Sequence, residues 1–252
     1  MRILLSGAAV AMWAVSSAWA LPTADELLAK VKAKLAEVRS MEADVRMIQI
    51  GGQGDELTGH LAMQMSEKDG KTVKREYLSG QETTPLPNGK KATTDDKVVD
   101  DGTTNWLEER HFGDRQIRVT KNGPRGDKEL WPEGRLERAK ASQARFALTV
   151  TGEETVDGQK MYVLEGTYRP DPGPLKEEAR KGSLKEETRK LWIGQKDLMP
   201  HRWSESRLLE GIDGASGVTY NFTNIKLNQT VDAKLFEYTP PEGAVVDDKT
   251  KQ

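Results

Sequence analysis

Alternating apolar and polar positions run through much of the chain and predict β-strands. Across residues 57–65 the odd-numbered positions are Leu, Gly, Leu, Met and Met, whereas the even-numbered ones are Thr, His, Ala and Gln. Residues 218–223 alternate in the same way, with Val, Tyr and Phe on one side and Thr and Asn on the other. Because successive side chains of a strand point to opposite faces, these strands have one apolar face and one polar face. Such strands suit a sheet with water on one side and an apolar interior on the other.

Asp-Gly and Asn-Gly pairs predict tight turns between these strands, because both pairs tolerate the positive φ angles of short hairpins. The pairs are Asp69-Gly70, Asn88-Gly89, Asp101-Gly102, Asn122-Gly123, Asp157-Gly158 and Asp213-Gly214. Several of these pairs lie between two strand-like runs and therefore predict hairpins. The predicted hairpins join 57–67 with 71–78, 97–99 with 104–107, 146–156 with 160–168, and 201–209 with 218–227. No alternation of strands with helices indicates a parallel sheet, so we expect an antiparallel meander.

One segment, residues 23–40, has helical periodicity instead. It opens with the capping box Thr-Ala-Asp-Glu at residues 23–26, in which the hydroxyl and the carboxylate each accept a backbone N–H that would otherwise lack a partner. We expect this amphipathic helix to lie against the apolar face of the sheet. Its apolar stripe consists of Leu28, Val31, Leu35 and Val38.

Two stretches break the strand pattern. Residues 129–144 contain Trp131-Pro132 and predict a short helix within a connection. Residues 169–190 contain three prolines followed by a dense mixture of Lys, Arg and Glu. This second composition is typical of an exposed, charged insertion loop that buries little.

The first 20 residues have the layout of a cleavable secretory signal. Arg2 precedes the mostly apolar stretch Ile3 to Val15, and Ala18-Trp19-Ala20 has the small residues of a cleavage site. The apolar stretch is shorter than the roughly 20 residues that a membrane-spanning helix needs. The chain has no cysteine, so it has neither a lipid-modified Cys after the signal nor disulfides. We therefore expect export from the cytoplasm, with residues 21–252 forming one domain held together by packing.

Composition narrows the function classes. Lys and Arg number 38 against 40 acidic residues, and this near-neutral balance argues against a nucleic-acid-binding protein. Charged residues make up 31% of the chain and hydrophobic residues 36%, so the apolar side chains suffice for one face of a sheet more readily than for a thick core. We expect a monomer that makes only transient contact with membranes.

The residues available for catalysis are few. The chain has three histidines, at positions 60, 111 and 201, and no metalloprotease, serine-hydrolase or phosphate-loop motif. Glu109 and His111 with Asp114 have no spacing specific to a metal site, and polar groups of this kind usually line a hairpin surface. We expect no enzymatic activity, no cofactor and no metal. An enzyme that uses Glu108, Glu109, Asp114 and His111 is the alternative if these groups meet in a cleft.

Apolar side chains in and beside the predicted strands are candidates for a lipid-binding cavity. Methionine is flexible and polarizable, so a Met-rich face can follow acyl chains of varied shape. The alternative is that these residues form an ordinary filled core beneath the helix, which periodicity does not distinguish. The candidates are Leu28, Val31, Leu35, Met47, Leu61, Met63, Met65, Trp106, Trp192, Trp203, Tyr220 and Phe222.

The order of several short segments resembles the LolA-like family of periplasmic lipoprotein carriers, the outer-membrane lipoprotein-sorting proteins. The resemblance spans most of the chain after residue 20 and is most specific in the closing segment. In chain order the segments are Met41-Glu42-Ala43-Asp44-Val45 after the helix, residues 101–106 (DGTTNW), 154–158 (ETVDG), 190–193 (KLWI) with 198–200 (LMP), and 222–228 (FTNIKLN) with 235–244 (LFEYTPPEGA).

This resemblance implies an unclosed β-barrel, or half-barrel, with a helix over its open side and a hydrophobic cavity that shelters acyl chains in the periplasm. It implies lipoprotein or lipid acyl chains as ligands, an inner-membrane donor and an outer-membrane acceptor as partners, and Arg46 as the candidate for the family's lid-latching arginine. The same fold also serves in lipid-responsive periplasmic sensors that signal through a protein partner, so a sensor is the alternative to a carrier.

Overall fold

The computed structural model describes a large part of the chain, and in that part no helix is long and apolar enough to cross a membrane. The predicted signal at 1–20 and the predicted helix at 129–144 lie outside the described residues, as do His111, Asp114 and residues 171–181 of the predicted loop. The described residues are 21–51, 55–68, 70–86, 88–110, 116–123, 146–170 and 182–251.

The described part consists mainly of β-strands, with one α-helix before the first of them. The helix α1 is Ala24–Ala36, and short 3-10 turns follow at Ala233–Phe236 and Lys249–Lys251. The strands are β1 Ser40–Ile50, β2 Glu56–Lys68, β3 Lys71–Pro85, β4 Lys91–Asp100, β5 Asn105–Arg110, β6 Arg118–Asn122, β7 Thr149–Val156, β8 Gln159–Tyr168, β9 Leu184–Gly194, β10 Pro200–Leu209, β11 Ala215–Leu227 and β12 Val245–Asp248.

All twelve strands belong to one open sheet, in the order β12-β6-β5-β4-β3-β2-β1-β11-β10-β9-β8-β7. Neighbours pair in antiparallel fashion except at one edge, where β12 runs parallel to β6. The pairing of β1 with β11 joins the two ends of the meander into one surface. The predicted fold class, an unclosed antiparallel half-barrel with one N-terminal helix, is confirmed, and the four predicted hairpins are all present.

The helix begins as its sequence predicts. The backbone N–H of Glu26 donates to the Thr23 hydroxyl at 3.2 Å, and the backbone N–H of Thr23 donates to the Glu26 carboxylate at 2.9 Å. The helix ends at Ala36 instead of extending to Ser40, since Asn228 accepts the backbone N–H of Arg39 at 2.6 Å and Ser40 already belongs to β1. The end of the helix is therefore set by a contact with the far end of the chain.

The prediction of a charged loop over residues 169–190 was wrong at its C-terminal end, because β9 begins at Leu184. This strand pairs with β8 on one side and with β10 on the other. Its charges are accommodated by pairing: Glu187 is only 3% exposed and lies 3.0 Å from the guanidinium of Arg189. A buried ion pair thus replaces the apolar residues that would have indicated a strand.

Candidate functional site

Two rows of apolar side chains cross the sheet on the face against which α1 packs, here called the inner face. Residues directly opposite each other in antiparallel strands point to the same face, with Cβ atoms about 4.5–5.5 Å apart. The long row crosses seven strands, from β7 to β2, and consists of Val150, Leu164, Leu191, Trp203, Tyr220, Met47 and Leu57. The short row crosses β1 to β5 and consists of Ala43, Leu61, Leu78, Val98 and Leu107.

The helix covers one half of this face. Its buried residues Ala24, Leu27, Leu28 and Val31 pack in one cluster with the inner face of β8 to β10. The second cluster, on β1 to β4, includes no buried residue of α1 and is reached by Val38, just beyond the helix. Because Leu35 and Tyr220 pack against both clusters, the two halves form one continuous apolar surface.

Methionines are concentrated in the half that the helix leaves uncovered. Beyond residue 20 the chain has six methionines, and five of them lie in or beside this half: Met41, Met47, Met63, Met65 and Met199. Three of the five are buried, while Met47 and Met65 are half-buried, as are Leu57 and Leu107 of the two rows. Apolar atoms therefore remain partly accessible along this half of the inner face.

Charged side chains border the long row at one end of the strands. Two residues beyond the long row, Arg189 of β9 lies opposite Glu205 of β10, and Glu205 lies opposite Val218 of β11. Two residues further along, Glu187 of β9 lies opposite Arg207 of β10. Residues two apart in a strand are separated by about 7 Å. On β9 and β10 the inner face thus changes from apolar to charged within one step along the strands. Glu187, Arg189, Glu205 and Arg207 are here called the charged rim.

The members of the charged rim differ in how well their charges are compensated. Nε and Nη2 of Arg189 both donate to Glu187 Oε1, at 3.2 and 3.0 Å, and both side chains are largely buried. Glu205 accepts the indole N–H of Trp203 at 3.0 Å. Arg207 lies 3.6 Å from a Glu187 oxygen and 3.7 Å from a Glu205 oxygen, and its side chain is 51% exposed.

A pocket of about 300 Å³ opens beside Arg207 on the inner face. Beside the pocket β10 and β11 approach closely at Gly217, because a Cβ at this residue would collide with the backbone carbonyl oxygen of Glu205. The lining combines members of the long row with polar groups of the charged rim: Met47, Gln49, Glu205, Arg207, Ser216, Gly217, Val218 and Tyr220.

Of the twelve predicted cavity residues, two lie on the opposite, outer face. Trp106 packs against Tyr238 of the C-terminal segment, with ring centroids 5.4 Å apart. Trp192 packs with Met161 and Val163, and its indole N–H donates to Glu154 at 2.7 Å. The other ten lie together in or beside the two inner clusters: Leu28, Val31, Leu35, Met47, Leu61, Met63, Met65, Trp203, Tyr220 and Phe222.

Arg46, the candidate lid latch, also points away from the helix. Its neighbour Met47 belongs to the long row, so Arg46 faces outward by strand alternation. Its side chain is 56% exposed, and its Nε lies 2.7 Å from Glu56 on the adjacent strand. The structure thus places Arg46 in an ion pair between β1 and β2 and brings it into no contact with α1.

Sequence reasoning missed several inner-face residues, namely Val150, Leu164, Leu191 and the whole charged rim. Strand alternation would have indicated Leu191 and the charged rim. In β9, residues 187, 189 and 191 share one face, as do residues 203, 205 and 207 in β10. The high charge of the segment before Leu191 hid this alternation. Counting back by strand alternation from the apolar residue that follows a charged stretch therefore identifies the charged residues that share its face.

A polar pair, Asp197 and His201, organises the connection between β9 and β10. His201 Nε2 lies 2.8 Å from one carboxylate oxygen of Asp197, and the backbone N–H of Met199 donates to the other at 3.0 Å. Burial raises the pKa of the Asp197 carboxyl, but these hydrogen bonds together outweigh burial and leave the pKa below its ordinary value. Across the residues described, no three acidic or histidine side chains are grouped as a metal site would require.

No family model matches the chain. An uncharacterized protein of Methanocaldococcus jannaschii is 26% identical to it over 223 residues, which is 88% of this chain and 52% of that protein. The chain therefore spans about half the length of this curated relative.

Similar solved structures include a LolA superfamily protein, which is the family that the sequence resembles. That protein, from Nitrosomonas europaea, is 12% identical with a TM-score of 0.26, covering 86% of this chain and 99% of that one. LprF from Mycobacterium bovis is 14% identical with a TM-score of 0.41, covering 88% and 99%. An uncharacterized conserved protein from Thermus thermophilus is 14% identical with a TM-score of 0.44, covering 90% and 99%. At these scores the likenesses carry no assignment of a ligand.

Proposed function

We propose that this protein binds the acyl chains of lipids or lipoproteins on its inner face and shelters them from water. The observation that carries the proposal is that the long apolar row continues from the part beneath α1 onto β11, β1 and β2, where Tyr220, Met47 and Leu57 are only half-buried. Each methylene group that leaves water contributes about 0.8 kcal/mol. An acyl chain laid along such a surface is therefore held by burial alone.

The methionines of the uncovered half suit a ligand of variable shape. Met41, Met63 and Met199 are buried, but Met47 and Met65 are half-buried at the sides of the surface. An unbranched thioether side chain has three rotatable bonds and adapts to chains of different length or unsaturation. A carrier needs this adaptability because it must both accept and release its cargo.

The proposed role is that of a periplasmic carrier that passes acylated cargo from an inner-membrane donor towards an outer-membrane acceptor, without catalysis. The predicted signal peptide and the resemblance to lipoprotein carriers support this role. A ligand held by burial is released whenever a membrane or partner offers an equally apolar surface, so transfer requires no covalent chemistry.

Placing a charge on the inner face tests the proposal. Leu57→Glu puts a carboxylate at the end of the long row, where an acyl chain would have to desolvate it. We expect the affinity for a fluorescent C16 acyl probe to fall by roughly tenfold or more, which corresponds to about 1.4 kcal/mol. Fluorescence titration of the purified protein measures this.

The matched control is Thr58→Glu, which adds the same charge one residue away on the outer face, where the side chain is exposed. It should bind the probe as the wild type does, and circular dichroism should show that both variants fold. Equal binding by the two variants would contradict the proposed site. Tight binding without transfer of the probe to acceptor vesicles would argue against a carrier and for the lipid-responsive sensor.

A further inference from the structure

We infer that the cargo has an anionic head, a carboxylate or phosphate joined to the acyl chain, and that Arg207 in the charged rim binds it. This inference rests on the proposed function, because it describes the polar end of the same ligand. It assigns a specificity that burial cannot provide, since an apolar surface accepts any long chain equally.

Arg207 lies beside the long apolar row. Arg207 shares a pocket of about 300 Å³ with Met47 and Tyr220, two neighbours in the long row. Along β10, Arg207 lies four residues beyond Trp203 of that row, a separation of about 13 Å. A single amphipathic molecule can therefore lay its chain on the row while its head reaches the guanidinium.

Among the four side chains of the charged rim, that of Arg207 is the most exposed. Glu187 already accepts two hydrogen bonds from Arg189, and Glu205 accepts one from the indole of Trp203. These carboxylates are therefore occupied by largely buried donors. The contacts of Arg207 to them, at 3.6 and 3.7 Å, are longer than hydrogen bonds, and half of its side chain is exposed.

The guanidinium of Arg207 is suited to an anionic head. A guanidinium presents five N–H donors in a planar fork that matches the two oxygens of a carboxylate or phosphate. The carboxylates of Glu187 and Glu205, 3.6 and 3.7 Å away, attract the guanidinium and help to keep it at the pocket. A neutral alcohol or ester head offers no charge for it and would gain much less.

The experiment compares C16 ligands that differ only in the head: hexadecanoate, hexadecyl phosphate and hexadecanol. Calorimetric or competition titration at neutral pH gives the affinity of each for the wild type, Arg207→Gln and Arg207→Lys. We expect the wild type to prefer both anions to the alcohol by about tenfold, the size expected for one charge-assisted hydrogen-bonded contact. Arg207→Gln should remove most of this preference, and Arg207→Lys should keep part of it.

Lys226→Gln is the matched control, because it removes one positive charge from an exposed position on the neighbouring strand β11. It should retain the full preference for anions. If it loses the preference as Arg207→Gln does, the effect is one of net charge and the assignment to Arg207 is overturned. An unchanged preference in Arg207→Gln overturns it as well.

Two further outcomes separate this inference from its premise. If no C16 ligand binds the wild type, the proposed function fails, and the inference with it. If all three bind with equal affinity, only the anionic head is refuted. Inorganic phosphate alone should compete weakly with hexadecyl phosphate, and competition at equal concentrations would show a free-anion site in place of a lipid head.

Discussion

At the scale of single residues, the pair of Asp197 and His201 shows how one carboxylate stabilises a connection. Asp197 accepts from both the His201 ring and a backbone N–H, and the β-carbon that any other residue would place at Gly194 would collide with this carboxylate. The pKa of Asp197 lies below its ordinary value, because these hydrogen bonds outweigh the opposing effect of burial. The charged form of Asp197 therefore favours the native state.

Because the pKa of Asp197 is lowered in the folded state, the free energy of unfolding depends on pH. A carboxyl whose pKa is lower in the folded state stabilises the fold above its unfolded pKa of about 3.9, and the contribution is lost as the pH falls through the folded pKa. We expect Asp197→Asn to lower the free energy of unfolding by about 1–2 kcal/mol at pH 7. Urea unfolding from pH 7 down to pH 2.5 should show this difference shrinking below about pH 4, and a constant difference would contradict the assignment.

The tryptophans show what could not be predicted at this scale. Of the three tryptophans offered as cavity candidates, Trp203 lies on the inner face, whereas Trp106 and Trp192 lie on the outer face. Alternation separates the two faces of a strand, but it does not say that the outer face is polar throughout. Here the C-terminal segment brings Tyr238 over Trp106, a contact between residues far apart in the chain. Arg46 lies on the outer face by strand alternation, and its ion-pair partner Glu56 belongs to the next strand.

At the scale of elements, the helix is the best-predicted part of the molecule. Its capping box is a local feature and appears as predicted, and Leu28 and Val31 of the predicted apolar stripe are buried, whereas Val38 lies beyond the end of the helix. The start of β9 was not predictable in this way, because Glu187 and Arg189 are buried only by pairing with each other and with neighbouring strands. Local sequence thus specifies this helix well, whereas a strand with a buried ion pair is specified by its partners.

Because the helix packs on one half of the inner face, its buried side chains should contribute strongly to stability. Leu28 is 1% exposed, and we expect Leu28→Ala to lower the free energy of unfolding by about 2–5 kcal/mol, the cost of lost burial and of the cavity left behind. Lys30→Ala, at an exposed position of the same helix, should change it by less than about 0.5 kcal/mol. Chemical denaturation measures both, and equal effects would show that α1 does not pack as described.

At the scale of the whole molecule, one sheet carries two different surfaces. The outer face has small, self-contained clusters, such as that of Ala62, Val231 and Phe236, which the C-terminal segment covers. The inner face has a continuous apolar surface with a helix over one half and charges along one border. The antiparallel meander was predictable from hairpin signals and the half-barrel from the resemblance, but which half the helix covers depends on its docking against β8 to β10. That asymmetry is what leaves room for a ligand.

The most direct test of the account is to locate a bound acyl chain on the sheet. A C16 fatty acid with a photoreactive diazirine in its chain is bound to the purified protein, cross-linked by light and mapped by peptide mass spectrometry. The account predicts labels on Met47, Leu57 and Tyr220 of the long row, with loss of labelling when unlabelled fatty acid is in excess. Labels confined to the outer face, around Trp106 or Trp192, or no labelling that excess fatty acid displaces, would contradict it.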